Sequence, residues 1–306
     1  MTRRTWLSAL ACGVAYALWA LYDREQSLEK SHTNGPCPEA MTWVDPVTRR
    51  LHRNAGRHGS VILIHHSVTS GSRTPNWRWA VSMKQFCSHL DFLAGEGYTL
   101  PTVSELVTAP TKTWVGPTVA ITFDDGYLDN LSAFEALRKR GMRATWFIVT
   151  GLIGQIPKWP QDGRPEGRLL TIAELRQMSA DGMEIGSHAV NHVRLPESDD
   201  AQLIHELTDS RITLEDILSK RVDSFAYPYG AWDERCAKAV KGAGYGSACT
   251  TRSGWALLDN DPYKLRRLSV FNTDTVSTLA RKLTFADNEV TWPQLSRYAL
   301  RRIMGR

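Results

Sequence analysis

Short apolar runs recur along this chain, each followed by a stretch in which apolar residues return every three or four positions. Runs at 61–65, 119–123, 145–149, 183–187, 224–227, 246–250 and 265–270 have the length and composition of buried strands. Helical periodicity appears near 82–95, 102–107, 128–140, 171–181, 199–219, 233–243 and 275–285. Over 128–140, for example, Leu131, Phe134 and Leu137 share a face, Arg138, Lys139 and Arg140 follow, and Gly141 stands where a C-terminal cap belongs. Strict alternation of strand and helix predicts a parallel sheet with crossover helices. About seven such units suit a closed or nearly closed β/α barrel better than a small open sheet. The expected architecture is a distorted (β/α)7-type barrel in a single domain over residues 57–290, with functional groups at the carboxyl ends of its strands.

The ends of the chain depart from this alternation. Met1-Thr2-Arg3-Arg4 is a basic lead, and residues 5–22 form an uncharged run rich in leucine. Residues 1–24 therefore read as a signal peptide or an uncleaved membrane anchor. At 1.5 Å per residue the run spans about 27 Å, close to a bilayer core, and Ala15-Tyr16-Ala17 offers a small-x-small cleavage site. Both readings carry the body out of the cytoplasm, as a periplasmic, secreted or inner-membrane-anchored protein. Residues 25–56 are polar, contain Asn34-Gly35-Pro36 and read as a linker that becomes ordered near the domain. In 291–306, Leu295, Tyr298, Leu300 and Ile303 alternate with arginines, which suits a basic amphipathic tail.

Composition narrows the class. With 42% hydrophobic and 23% charged residues among 306, the chain is neither disordered nor fibrous. Its net charge of +5 is carried by the ends: residues 1–24 contribute +2 and 295–306 contribute +4, leaving −1 for the body. A near-neutral body argues against a nucleic-acid partner. With Cys12 set aside in the apolar run, Cys37, Cys87, Cys236 and Cys249 allow two disulfides, Cys236–Cys249 being the most local pair, or free thiols.

Candidate chemistry sits at four expected strand ends. Thr122-Phe123-Asp124-Asp125-Gly126 puts adjacent carboxylates after one strand. Like charges repel, so such a pair has a cation or two separate jobs, unless the segment is simply an Asp-Gly turn. Another strand runs into His188 and His192, four residues apart, a spacing that lets two imidazoles face one point. With one carboxylate they make a two-nitrogen, one-oxygen set for a divalent metal. Tyr227-Pro228-Tyr229-Gly230 ends a third strand, where a fixed Tyr229 amide suits an oxyanion donor or the segment is only a rigid turn. The first strand of the domain ends in His65-His66-Ser67-Val68.

Taken in order, these segments resemble the polysaccharide deacetylases of the NodB-homology class, the family-4 carbohydrate esterases, and within them the bacterial poly-N-acetylglucosamine deacetylase branch. The likeness runs from about 60 to 285: residues 122–126, 187–192 and 227–230 match three family motifs, and 86–98, 127–130, 143–147 and 243–251 are similar as well. The resemblance implies a single catalytic domain in which Asp125, His188 and His192 hold the metal and Asp124 is the general base. Tyr229 would donate its amide to the oxyanion, and a general acid would protonate the leaving amine. By ligand type the metal would be Zn²⁺, with Co²⁺ or Ni²⁺ also suited. Two departures stand out. The late motif that usually carries the acidic histidine, here Leu265-Arg266-Arg267-Leu268, has none. The branch draws its acid from an early strand, which aligns His66 with that role in preference to His65. The arginine that usually steers the catalytic aspartate is also missing, since Ala226 and Tyr227 stand in its place; Arg267 is the candidate substitute, either paired with Asp124 or on the surface. Trp159, Trp232 and Trp255 are candidates for stacking on sugar faces. The implied activity is removal of acetyl groups from an N-acetylated glycan. Alternatives are another acylated glycan such as peptidoglycan, a lipid-linked sugar or an O-acetylated polysaccharide, and a glycan-binding relative without catalysis. A phosphotransferase using Asp124 lacks a phosphate-cradling glycine loop.

Overall fold

The computed structural model describes residues 42–54, 59–109, 116–157, 159 and 163–296. In chain order the elements are α1 (Pro46–Asn54), β1 (Ser60–His65), β2 (Ser67–Thr69), β3 (Ala80–Ser82), α2 (Met83–Gly95), α3 (Val103–Thr108), β4 (Thr118–Phe123), α4 (Asn130–Lys139) and β5 (Thr145–Ile148). There follow α5 (Ile172–Ala180), β6 (Glu184–Ser187), α6 (Asp200–Leu218), β7 (Ser224–Ala226), α7 (Glu234–Gly242), β8 (Ser247–Cys249), β9 (Leu268–Ser269) and α8 (Val276–Phe285). Seven strands form one parallel sheet in the order β8-β7-β6-β5-β4-β1-β9, and β2 and β3 pair separately. The sheet curls back on itself through one short segment: Leu265 bridges Cys249 of β8, and Leu268 pairs with Leu63 of β1. The run expected as one strand over 265–270 is thus split, its first half closing one edge and its second half the other. The (β/α)7 barrel expected from the alternation is the observed fold.

Alternation along each strand decides which side chains face the interior. Ile62, Ala120, Phe147, Ala226 and Cys249 meet Leu265 in one cluster inside the barrel. Their neighbours Val61, Leu63, Val119, Ile121, Phe123, Trp146, Ile148 and Phe225 point outward into the layer packed with helices. There Phe123 stacks on Trp146, with centroids 4.6 Å apart. α3 contributes Val103 and Leu106 to the interior cluster. Its first turn is tied to the starts of β5 and β6, because Val103 N–H donates to Thr145 Oγ1 and Ser104 N–H to Glu184 Oε2. That end of the barrel is plugged, which leaves the carboxyl ends of the strands for chemistry.

The C-terminal part of the expected linker, the part nearest the domain, is helical. Residues 46–54 form a helix against α8, and its buried positions are the polar Thr48 and His52. Asp45 and Arg281 make a buried ion pair, Arg281 also reaches Thr48, and His52 Nδ1 contacts Thr284 Oγ1. Hydrophobic periodicity does not register a helix that docks through hydrogen bonds. Residues 1–41 and 297–306, which hold the expected signal or anchor and most of the basic tail, lie outside the described residues. Among the described residues no helix is long and apolar enough to cross a membrane.

Cys236 and Cys249 are free and buried, so the local disulfide between them is not formed. Cys249 faces the barrel interior while Cys236 packs outside the sheet. Burial pushes the Cys236 thiol up to about 11 and the Cys249 thiol up to about 12. Both are therefore expected to resist a thiol-specific reagent at pH 8 in the native protein and to react once it is denatured; rapid labelling of either without denaturant would contradict their burial.

Candidate active site

The same alternation carries three polar side chains to the open end. Interior positions on β4 run through Ala120 and Thr122 to Asp124, just beyond the strand. On β6 they run through Gly186 to His188, and on β1 through Ile62 and Ile64 to His66. Backbone ties extend the strands past their ends: Asp124 N–H donates to His65 O and His188 N–H to Ile148 O. The chain then turns sharply at Asp125, with φ 73°, and at Ala189 and His192, with φ 65° and 55°. These left-handed conformations cost energy in non-glycine residues and bring separate segments together.

They converge on one point. The ligand atoms of Asp125, His188 and His192 lie within 4.8 Å of one another. Asp125 Oδ1 is 3.6 Å from His188 Nε2 and 3.3 Å from His192 Nε2. Burial depresses both imidazoles, to about 4 each, against the opposing pull of Asp124. Both rings are thus neutral at pH 7. His188 Nδ1 sits 2.7 Å from Ala226 O, so it carries the proton and leaves the Nε2 lone pair free. Asp125 Oδ1 is buried and accepts no hydrogen bond from the described residues. A buried carboxylate oxygen facing two neutral imidazoles lacks a positive partner, and a divalent cation fits that donor set.

Asp124 has a different environment. Arg267, 0% exposed, grips it in a fork: Nη1 donates to Oδ1 at 2.7 Å and Nη2 to Oδ2 at 2.8 Å. Nη1 also reaches Thr122 Oγ1, and Nε donates to Thr250 O. Burial alone would push the Asp124 carboxyl up, but Arg267 and the nearby His188 overcome it and hold it at about 2. Of the two readings of Arg267, the surface one is therefore corrected, since the barrel-closing segment carries its side chain inside.

The paired histidines separate by the same parity. His65 continues the outward face of β1, packs on Phe86 and Phe123, and is pushed down to about 3 by burial. His66 sits between Trp77 and Trp79, near enough to Asp124 and His192 to act on both electrostatically. Asn130 Nδ2 donates to His66 O, and Ser67 Oγ donates to Asp129 Oδ2, which pins this turn to the start of α4. His66→Ala is expected to lower turnover about 10²–10⁴-fold with bound metal retained; a larger turnover loss in His65→Ala, measured on metal-loaded protein that remains folded, would contradict the assignment.

Aromatic rings line the approach. Tyr229, φ 59° and 51% exposed, lies 4.4 Å from the His192 ring, and Trp159 lies 5.1 Å from the same ring. Trp159 leads to Tyr127, Tyr127 to Trp77, Trp77 to His66, His66 to Trp79 and Trp79 to Phe271, each pair within 6.0 Å. Gly230 permits the turn beside Tyr229: its φ is +65°, and a Cβ there would fall 2.0 Å from Thr251 Oγ1. The other tryptophan candidates lie elsewhere. Trp232 packs on Tyr227 under Lys264 and Arg252, and Trp255 covers Gly59 at the amino end of β1. The composition of the wall, Trp77, Trp79, Tyr127 and Phe271, escaped sequence reasoning because its members come from three separate loops.

A family model described as "Polysaccharide deacetylase" matches residues 112–248, a span that includes Asp124, Asp125 and both histidines. The Bacillus subtilis (strain 168) protein named "Putative polysaccharide deacetylase YxkH" is 32% identical over 277 residues, covering 88% of this chain and 94% of that one. The chain belongs to the polysaccharide deacetylase family. The deacetylase is accordingly a hydrolase of amide bonds. A Staphylococcus aureus (strain MSSA476) poly-beta-1,6-N-acetyl-D-glucosamine N-deacetylase is 26% identical over 179 residues, covering 54% of this chain and 59% of that one. Among solved structures, the Streptococcus pyogenes deacetylase PplD in complex with acetate shares the fold, with a TM-score of 0.64, 24% identity and coverage of 74% of this chain and 98% of that one.

Proposed function

We propose that this deacetylase removes N-acetyl groups from a poly-N-acetylglucosamine-type glycan with the aid of a divalent cation, Zn²⁺ by default. One observation carries the reading: three neutral or anionic donors, Asp125, His188 and His192, meet beside a carboxylate, Asp124, that its own arginine keeps ionised. The cation, when bound, polarises the acetamido carbonyl and lowers the pKa of the attacking water. Asp124 accepts that water's proton, and the Arg267 fork orients both of its oxygens. Tyr229 offers its backbone N–H to the oxygen on which charge develops. His66 delivers a proton to the departing amine nitrogen, which leaves badly as an anion. The exposed Tyr229 and the partly exposed Trp159 and Trp79, backed by the buried Tyr127 and Trp77, give apolar sugar faces a surface to stack on. Similarity to the S. aureus enzyme supports the polymer assignment.

The test is acetate release from N-acetylglucosamine oligomers before chelation, after it, and after adding back Zn²⁺, Co²⁺ or Ni²⁺. Activity is expected to vanish on chelation and return with metal; release unaffected by a chelator that strips all bound metal would refute the metal role. We also propose that the body works outside the cytoplasm. The Arg3-Arg4 lead and the uncharged run over 5–22 support it. A protease added to intact spheroplasts is expected to degrade the body.

A further inference from the structure

One buried carboxylate has no part in the chemistry above. Glu206, on α6, is 0% exposed, and no lysine, arginine or histidine pairs with it among the described residues. The hydrogen bonds its side chain accepts come from the turn between the two histidine ligands. Val190 N–H and Asn191 N–H both donate to Oε2, and Asn191 Nδ2 donates to Oε1, each at 2.8 Å. The same turn is held from its other side, where Thr150 N–H and Gly151 N–H donate to Ala189 O and Val190 O. It contains two non-glycine residues at positive φ, Ala189 and His192, a conformation that persists only when the surroundings over-determine it.

Burying a carboxylate without a cationic partner is expensive even when its oxygens are hydrogen-bonded. A structural strut for the turn needs only acceptors for three N–H groups, which neutral carbonyl oxygens supply without burying a charge. A full negative charge at this position gains from a positive charge nearby, and the segment it grips carries two of the three metal ligands.

Resting on the metal reading above, we infer that Glu206 is a positioning residue for the metal centre: it locks the 188–192 turn so that both imidazoles meet Asp125, and its charge strengthens cation binding. The test is Glu206→Gln in the full chain, which keeps the shape but removes the charge and one acceptor. Zn²⁺ affinity is measured by competition with a chromogenic chelator, and thermal unfolding is recorded with and without metal. The metal Kd is expected to rise about 10–100-fold, the effect typical of groups that hold metal ligands. The unfolding temperature without metal should fall by no more than a few degrees, the cost of the lost acceptor, and the loss of cation binding shows in addition as a smaller metal-induced increase. Equal lowering of both unfolding temperatures with unchanged Kd would identify a plain strut and overturn the inference. If Glu206→Gln does not fold, Glu206→Asp, which keeps the charge on a shorter arm, decides: a several-fold weaker Kd sustains the inference and an unchanged Kd overturns it. Wild-type protein that binds no stoichiometric cation would instead overturn the metal reading itself, so the two failures are distinct.

Discussion

Replacing Asp124 with Asn is expected to lower turnover about 10²–10⁴-fold, the worth of a positioned general base, while metal content stays near wild type. The amide oxygen still accepts from Arg267 but cannot take the water's proton, and Asp124 lies outside the set that meets at Asp125, His188 and His192. His188→Ala is expected to lose metal and turnover together, because it deletes a ligand nitrogen already aimed by its Ala226 hydrogen bond. Metal analysis of the purified variants beside initial rates of acetate release separates the roles. Equal metal loss in both would reverse the assignment of base and ligand. Asp124→Asn also leaves the Arg267 charge buried without its counter-ion, so the comparison belongs at a temperature where both variants are folded.

Arg267→Met is expected to destabilise the protein by about 3–5 kcal/mol, the usual result of stranding one member of a buried ion pair. For a domain of this size that is a fall of the order of 10 °C in unfolding temperature. Met fits the apolar interior beside Phe147 but leaves both Asp124 oxygens without the fork. The pH dependence fixes the sign. With the arginine present, Asp124 is held at about 2, below its ordinary value, so its stabilising contribution is present above that ordinary value and disappears as pH falls through about 2. Without the arginine, burial dominates, the carboxyl titrates higher, and the acid limb of activity moves to higher pH. Pairing Arg267→Met with Asp124→Leu should recover much of the lost stability without activity, since replacing both charges with apolar groups removes the stranded ion. Unfolding temperatures of the three proteins and pH–rate profiles of wild type and Arg267→Met check this; an unchanged acid limb in Arg267→Met would mean that the fork does not govern Asp124.

The alternation of apolar runs and helical periodicity was enough to read nearly every strand and helix of the barrel, because parallel strands buried on both faces have to be apolar along their whole length. α1 was hidden, since it docks through Thr48, His52 and the Asp45–Arg281 pair instead of an apolar stripe. β2 and β3 were hidden as well, being three residues each. The motifs themselves named Asp124, Asp125, His188 and His192. Strand parity, also legible, already separates His66 from His65 once β1 is given its inward and outward faces.

Other features depended on parts of the chain meeting in space. Whether Arg267 lay outside or reached Asp124, 143 residues away, turned on how the segment 265–269 closes the barrel. Whether Cys236 and Cys249, the most local of the possible pairs, were bonded or free was also open, and they lie on opposite sides of the sheet. Nothing in the local sequence marks Glu206, whose carboxylate lies under the 188–192 turn only in the folded chain. The local order of residues determined the elements and their chemical equipment, because periodicity and turn propensity act over a few neighbours. Which charges are compensated, and by what, was decided only by the tertiary structure, because that depends on burial and on partners far along the chain.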